Sequence, residues 1–133
     1  MRLLSASLAA TLLLTVGCAT STTTVTPLAQ PGISHDVFFT MQDGSDEVCD
    51  GLVAACERLA GIAGVQRVVV GRRDPSQTRK VNDQDYHVGL HVEFVDQAAY
   101  DVYSPHPIHQ ALITDFGSGF KKVVVFDSLV EPR

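Results

Sequence analysis

Tyr100-Asp101-Val102-Tyr103-Ser104-Pro105-His106-Pro107-Ile108-His109 packs two tyrosines, two prolines and two histidines into ten residues. A plain apolar core does not ask for that mixture. Pro105 cannot extend a helix arriving from upstream, because it has no N–H to donate and its ring crowds the preceding turn. Pro107 suits the first turn of a new helix, where a missing N–H is harmless. The stretch predicts the end of one short helix, a break, and the start of a second, with phenol and imidazole groups brought into one region.

Working outward, Tyr86–Val95 reads as a strand with clean alternation. Tyr86, Val88, Leu90, Val92 and Phe94 share one face, and His87, Gly89, His91 and Glu93 share the other. Asp96 stands where an N-cap is wanted, so the first short helix runs from there to Tyr103. The second covers about Pro107 to Phe116. Gly117-Ser118-Gly119 then turns the chain into a last strand, Phe120–Asp127.

The first half supplies the remaining elements. Ile33–Met41 is a predicted strand with His35, Val37, Phe39 and Met41 on one face and Asp36, Phe38 and Thr40 on the other. After the turn at Gln42–Ser45, with Ser45 as N-cap, Val48, Leu52, Ala55, Cys56 and Leu59 recur at helical spacing up to about Ala60. Val65–Gly71 is a second strand, and its run Val68-Val69-Val70 implies burial on both faces. Arg72–Asp85 reads as an exposed loop. The order is β-α-β-β-α-β with the second helix broken in two. This is an α+β, ferredoxin-like subunit, an antiparallel sheet with helices on one face. The other face needs a cover, and a homodimer closing sheet against sheet as a dimeric α/β barrel is the expected solution.

One domain is the natural content of 133 residues. A net charge of −5 argues against non-specific nucleic-acid binding, which needs a basic surface. Residues 1–17 carry one positive charge, an apolar run centred on Leu12-Leu13-Leu14 and small residues before Cys18, the pattern of a secretory signal too short to span a bilayer. Leu14-Thr15-Val16-Gly17-Cys18 resembles a bacterial lipobox. That resemblance implies acyl chains on Cys18 and a membrane anchor, and Ala19 after it fits the outer membrane, facing the periplasm. Residues 18–32 are rich in Thr, Ser and Pro and read as a tether, leaving 33–133 as the folded domain.

The ordered set His35-Asp36-Val37-Phe38-Phe39, Gly61-Ile62-Ala63-Gly64-Val65, His91-Val92-Glu93-Phe94, Tyr103 through His109, and Val123-Val124-Val125-Phe126-Asp127 resembles the stress-responsive dimeric α/β-barrel (Dabb) family. The resemblance implies a ferredoxin-like subunit and a homodimer. A plant polyketide cyclase belongs to the family, and its catalytic tyrosine and histidine fall on Tyr103 and His109; its opening-strand pocket histidine falls on His35.

These positions set the functional expectations. His109 can take a proton alpha to a carbonyl while the Tyr103 hydroxyl holds the developing enolate oxygen. The structural alternative is that an imidazole at the helix break caps backbone groups and Tyr103 is a core aromatic. His35, Tyr86 and His106 are the expected ligand-pocket residues. His87, His91 and Glu93 share a strand face without metal-ligand spacing, so no metal or other cofactor is expected. Cys49 and Cys56 lie seven apart on one helix, about 10.5 Å by its rise and too far for a bridge; Cys56 reads as core filler, Cys49 as a free thiol or an intermolecular link. The leading expectation is a homodimeric envelope protein binding a small apolar or carbonyl-containing ligand. An enzyme using His109 and Tyr103, and a stress-response assembly module, are the alternatives.

Overall fold

The computed structural model describes residues 32–130. The signal at 1–17, Cys18 and nearly all of the tether lie outside the described residues. Gly32, placed in the tether by sequence, opens the first strand.

The elements are β1 (Gly32–Met41), α1 (Asp46–Glu57) continued by a 3-10 turn (Arg58–Gly61), β2 (Val65–Arg72), β3 (Val88–Phe94), α2 (Gln97–Tyr103), α3 (Pro107–Phe116) and β4 (Phe120–Val130). The sheet order is β2-β3-β1-β4, and each pairing is antiparallel. This is the ferredoxin-like arrangement the element order predicts. α1 presents Cys49, Leu52, Ala55 and Cys56 to the sheet, where Val37, Phe39, Val88, Leu90, Val92 and Phe94 meet them. A buried leucine or phenylalanine of this kind contributes about 1.5–3 kcal/mol through the apolar surface it removes from water.

The turn into β2 depends on Gly64. Its φ of +88° lies where side chains are strained, and a Cβ there would collide with Ala99 at the start of α2. Asp96 caps α2 as predicted, accepting from the Ala99 N–H at 2.8 Å. Ser45 occupies the N-cap of α1 without a side-chain bond to the helix; its own N–H is held by Asp43 Oδ1 at 2.9 Å.

Three local expectations change. β3 begins at Val88 and not at Tyr86. The His87 N–H bonds to the Phe39 carbonyl at 2.8 Å and its Nδ1 accepts from the Met41 N–H at 2.9 Å, so the alternation of β3 does not extend back to Tyr86. β2 is covered on its helix side only, and Val69 on the open side is 46% exposed in the single chain. Cys49 is 1% exposed and unbridged, which removes it as an intermolecular link; burial pushes its thiol pKa up, as it does that of Cys56, to about 12.

Candidate functional site

The helix break builds the site. In an unbroken helix the Ile108 N–H would bond to the Ser104 carbonyl four residues back. Instead it donates to His106 Nδ1 at 3.2 Å, which makes His106 the N-cap of α3, with Pro107 at its first position. The Ser104 carbonyl is left open and takes two side chains, His109 Nδ1 at 2.9 Å and Gln110 Nε2 at 2.7 Å.

A carbonyl oxygen only accepts, so His109 carries its proton on Nδ1 and presents Nε2 as a lone pair. Burial holds the His109 imidazole below its ordinary pKa, the bond to Ser104 opposes this, and the positive charge available to His35 adds to the depression. His109 is therefore neutral at physiological pH. Its ring lies 4.6 Å from that of Tyr103, the last residue of α2. Tyr103 is 3% exposed and packs on Phe94 at 5.0 Å, and burial raises its hydroxyl pKa well above the usual phenol range. It stays protonated and is able to donate. No hydrogen bond to this hydroxyl exists among the described residues, and no fully buried side-chain polar atom among them lacks a partner, so the oxygen is accessible.

His35 enters from β1. Directly across the β1–β4 pair stands Asp127, whose Oδ1 accepts from His35 Nδ1 at 2.7 Å. The other carboxylate oxygen accepts from the Tyr100 hydroxyl at 3.1 Å. The His35 ring meets Tyr100 and Tyr103 edge-on at 5.7 and 5.6 Å. With Nδ1–H committed to Asp127, Nε2 of His35 is the nitrogen left for a ligand.

His35, Tyr103 and His109 line one cavity of about 230 Å³ between α3 and the β1–β4 pair. They are its polar members; Val37, Phe39, Leu112, Ile113, Phe120, Val123 and Val125 form the apolar wall. Two expected pocket residues are elsewhere. His106 is a helix cap and does not line the cavity. Tyr86 lies on the opposite face of the sheet, its ring 5.0 Å from Phe38, in a separate hollow of about 270 Å³ with Phe126, Asp85 and Lys122. Conversely, Asp127 and Tyr100 belong to the site and sequence reading did not assign them. The signal for Asp127 was the β1–β4 register, which no local pattern carries.

A larger and more open hollow of about 500 Å³ lies beside α1, with Asp46, Arg72, Arg73 and His87 on its wall. Its cations are already engaged: Arg72 with Asp46 and Asp50, Arg73 with the Tyr86 carbonyl and Gln84. Size alone does not make it the site, because both of its arginines already have partners.

Fold and cavity together define a ferredoxin-like α+β domain with a small, mainly apolar chamber on its helix side. Residues 33–130 match the stress responsive A/B barrel domain, Dabb, and the chain belongs to that family. A Dabb family protein with a ferredoxin-like fold from Mesorhizobium loti is 32% identical, with a TM-score of 0.61 over 77% of this chain and 100% of that one. A dimeric ferredoxin-like protein of unknown function from Thermobifida fusca is 17% identical, with a TM-score of 0.64 over 77% of this chain and 93% of that one. A hydroxynitrile lyase from Passiflora edulis is 17% identical, with a TM-score of 0.63 over 77% and 95%. The last two likenesses carry the fold alone. No curated protein matches the chain.

Proposed function

We propose that this Dabb protein is anchored in the cell envelope by lipid on Cys18, forms a homodimer, and binds a small, largely apolar carbonyl compound in the helix-side cavity. One observation carries the ligand reading: three polar side chains, His35, Tyr103 and His109, converge in a chamber whose remaining wall is apolar. Such a chamber orients a carbonyl oxygen toward the Tyr103 hydroxyl and gives the rest of the molecule only hydrocarbon to touch. The homodimer is supported by the exposed apolar positions Val69 and Phe126 on the open sheet face and by the description of the Thermobifida fusca relative as dimeric.

Native mass spectrometry of the purified protein tests the ligand reading. A retained small molecule is expected, with a mass shift on hydroxylamine treatment that reports its carbonyl. Protein that never retains a molecule, and whose melting temperature is moved by no small ketone or aldehyde, would sink it. For the anchor, Cys18→Ser is expected to release the protein from the membrane fraction.

The second reading is proton transfer on the same ligand, and the His109–Ser104 bond favours it. A neutral imidazole with its lone pair on Nε2 can remove a proton alpha to the carbonyl, while Tyr103 donates to the oxygen on which charge develops. Deuterium exchange into an alpha-acidic ketone, lost in His109→Gln, distinguishes chemistry from binding.

A further inference from the structure

The open face of the sheet carries a polar cluster that the cavity does not use. His91, in the middle of β3, sits between two carboxylates. Its Nδ1 is 2.7 Å from Asp36 Oδ1 on β1, and its Nε2 is 2.9 Å from Glu93 Oε1 on its own strand. Ser34 Oγ donates to Asp36 Oδ2 at 2.9 Å and lies 3.5 Å from His91 Nδ1. From β2, Arg67 Nη1 reaches within 3.7 Å of Glu93 Oε1. β4 adds no charge here, since Phe126 stands opposite Asp36 and Ser128 opposite Ser34. The carboxylates bind opposite edges of the ring and share no common point, and no metal-holding group of three or more ligands exists among the described residues. Around the cluster the face is apolar, with Phe38, Val69, Val124 and Phe126; Phe126 is 58% exposed.

We propose that association of two copies across this face takes up protons, with His91 between Asp36 and Glu93 as the group that binds them. The inference deepens the homodimer reading above and rests on it.

Carboxylates only accept, so both ring nitrogens can donate to them only when His91 is an imidazolium. In that state one imidazolium and one guanidinium balance two carboxylates, and the cluster leaves water as a neutral unit. With His91 neutral, each copy brings an uncompensated carboxylate, and twofold symmetry doubles that charge at the interface. Desolvating unpaired charge is costly, and like charges repel more strongly as the surrounding dielectric falls. The bonds to Glu93 and then Asp36 already raise His91 above the ordinary imidazole range, against the opposing effect of burial. Replacing water over the face by the partner's apolar side chains strengthens that attraction, so the dimer holds the proton more tightly than the separated chains. The proton-linked part of association is then fully present below the pKa of the separated chain and is lost as pH rises through that of the dimer.

Sedimentation equilibrium of the purified chain between about pH 5 and pH 9 tests this. The dimer dissociation constant is expected to rise at least about tenfold toward the alkaline end, the equivalent of one pKa unit of linkage. Glu93→Gln is expected to hold the dimer at the alkaline end, because with His91 neutral the face then carries one carboxylate and one guanidinium and no net charge. His91→Gln is expected to remove the pH dependence, with circular dichroism showing the subunit folded. A dissociation constant that does not respond to pH, or a response that survives in both variants, overturns the inference and leaves the homodimer standing. A chain that is monomeric throughout overturns both.

Discussion

Asp127 and His35 face each other across the β1–β4 pair, carboxylate to Nδ1 at 2.7 Å, and the contact joins residues 92 apart in the chain. It sets the orientation of the one cavity imidazole that comes from the sheet. Asp127→Asn keeps the shape and removes the charge. The carboxylate is half exposed, so the expected loss of stability is small, about 1 kcal/mol by urea denaturation. Ligand retention is expected to fall further than stability does, because the amide can offer its N–H to Nδ1 and reverse the tautomer.

Tyr103→Phe separates packing from chemistry. The ring against Phe94 remains, and the accessible hydroxyl makes no bond that the fold loses. Thermal unfolding is expected to stay within about 0.5 kcal/mol of the parent. Retention of a carbonyl ligand is expected to drop about tenfold, the worth of a hydrogen bond of about 1.4 kcal/mol. A large loss of stability with unchanged retention would return Tyr103 to the role of core aromatic.

His106 and His109 are three residues apart and are expected to respond in opposite ways. His106→Ala removes the cap of α3 and costs about 0.5–2 kcal/mol, with ligand retention unchanged. His109→Gln is expected to abolish retention or exchange at a smaller cost in stability. Chemical denaturation paired with native mass spectrometry reads both.

His109 also gives the fold an acid limit. Its pKa is lower folded than unfolded, so its contribution is present above the ordinary imidazole pKa of about 6.5 and is lost as pH falls through the folded value. Denaturation midpoints measured from neutral pH downward are expected to fall in the parent and to fall less in His109→Gln. The imidazole C–H resonances of His109 are expected to titrate below those of an unfolded histidine.

Gly64→Ala tests the turn into β2. The positive φ and the collision with Ala99 act together, and the substitution is expected to cost more than about 1 kcal/mol in thermal unfolding.

The elements could be read locally because their determinants are local. Pro105 and Pro107 fix the helix break, Asp96 caps α2, and alternation through Val88–Phe94 defines β3. Convergence of Tyr103 and His109, six positions apart, follows from the same break at Ser104–His106. What could not be read was pairing. Asp127 meets His35 through a register between the first and last strands, and nothing near either residue encodes it. Tyr86 leaves the face its alternation predicts for a related reason: β3 starts at Val88, and the side chain of His87 before it is bound to the backbone of β1. His106 and His109 look alike in sequence, and only the direction of the Ile108 N–H makes one a cap and leaves the other to the cavity.

The cavity draws its walls from both ends of the domain. His35, Val37 and Phe39 come from β1, while Phe120, Val123, Val125 and the orienting Asp127 come from β4. Pairing of such sequence-distant strands is slow, because loop closure must precede any contact that rewards it. Until Phe120–Val130 docks along β1, the chamber has no outer wall and His35 has no carboxylate. Ligand competence and completion of the sheet are thus one event in folding, so a bound molecule reports that β4 has docked.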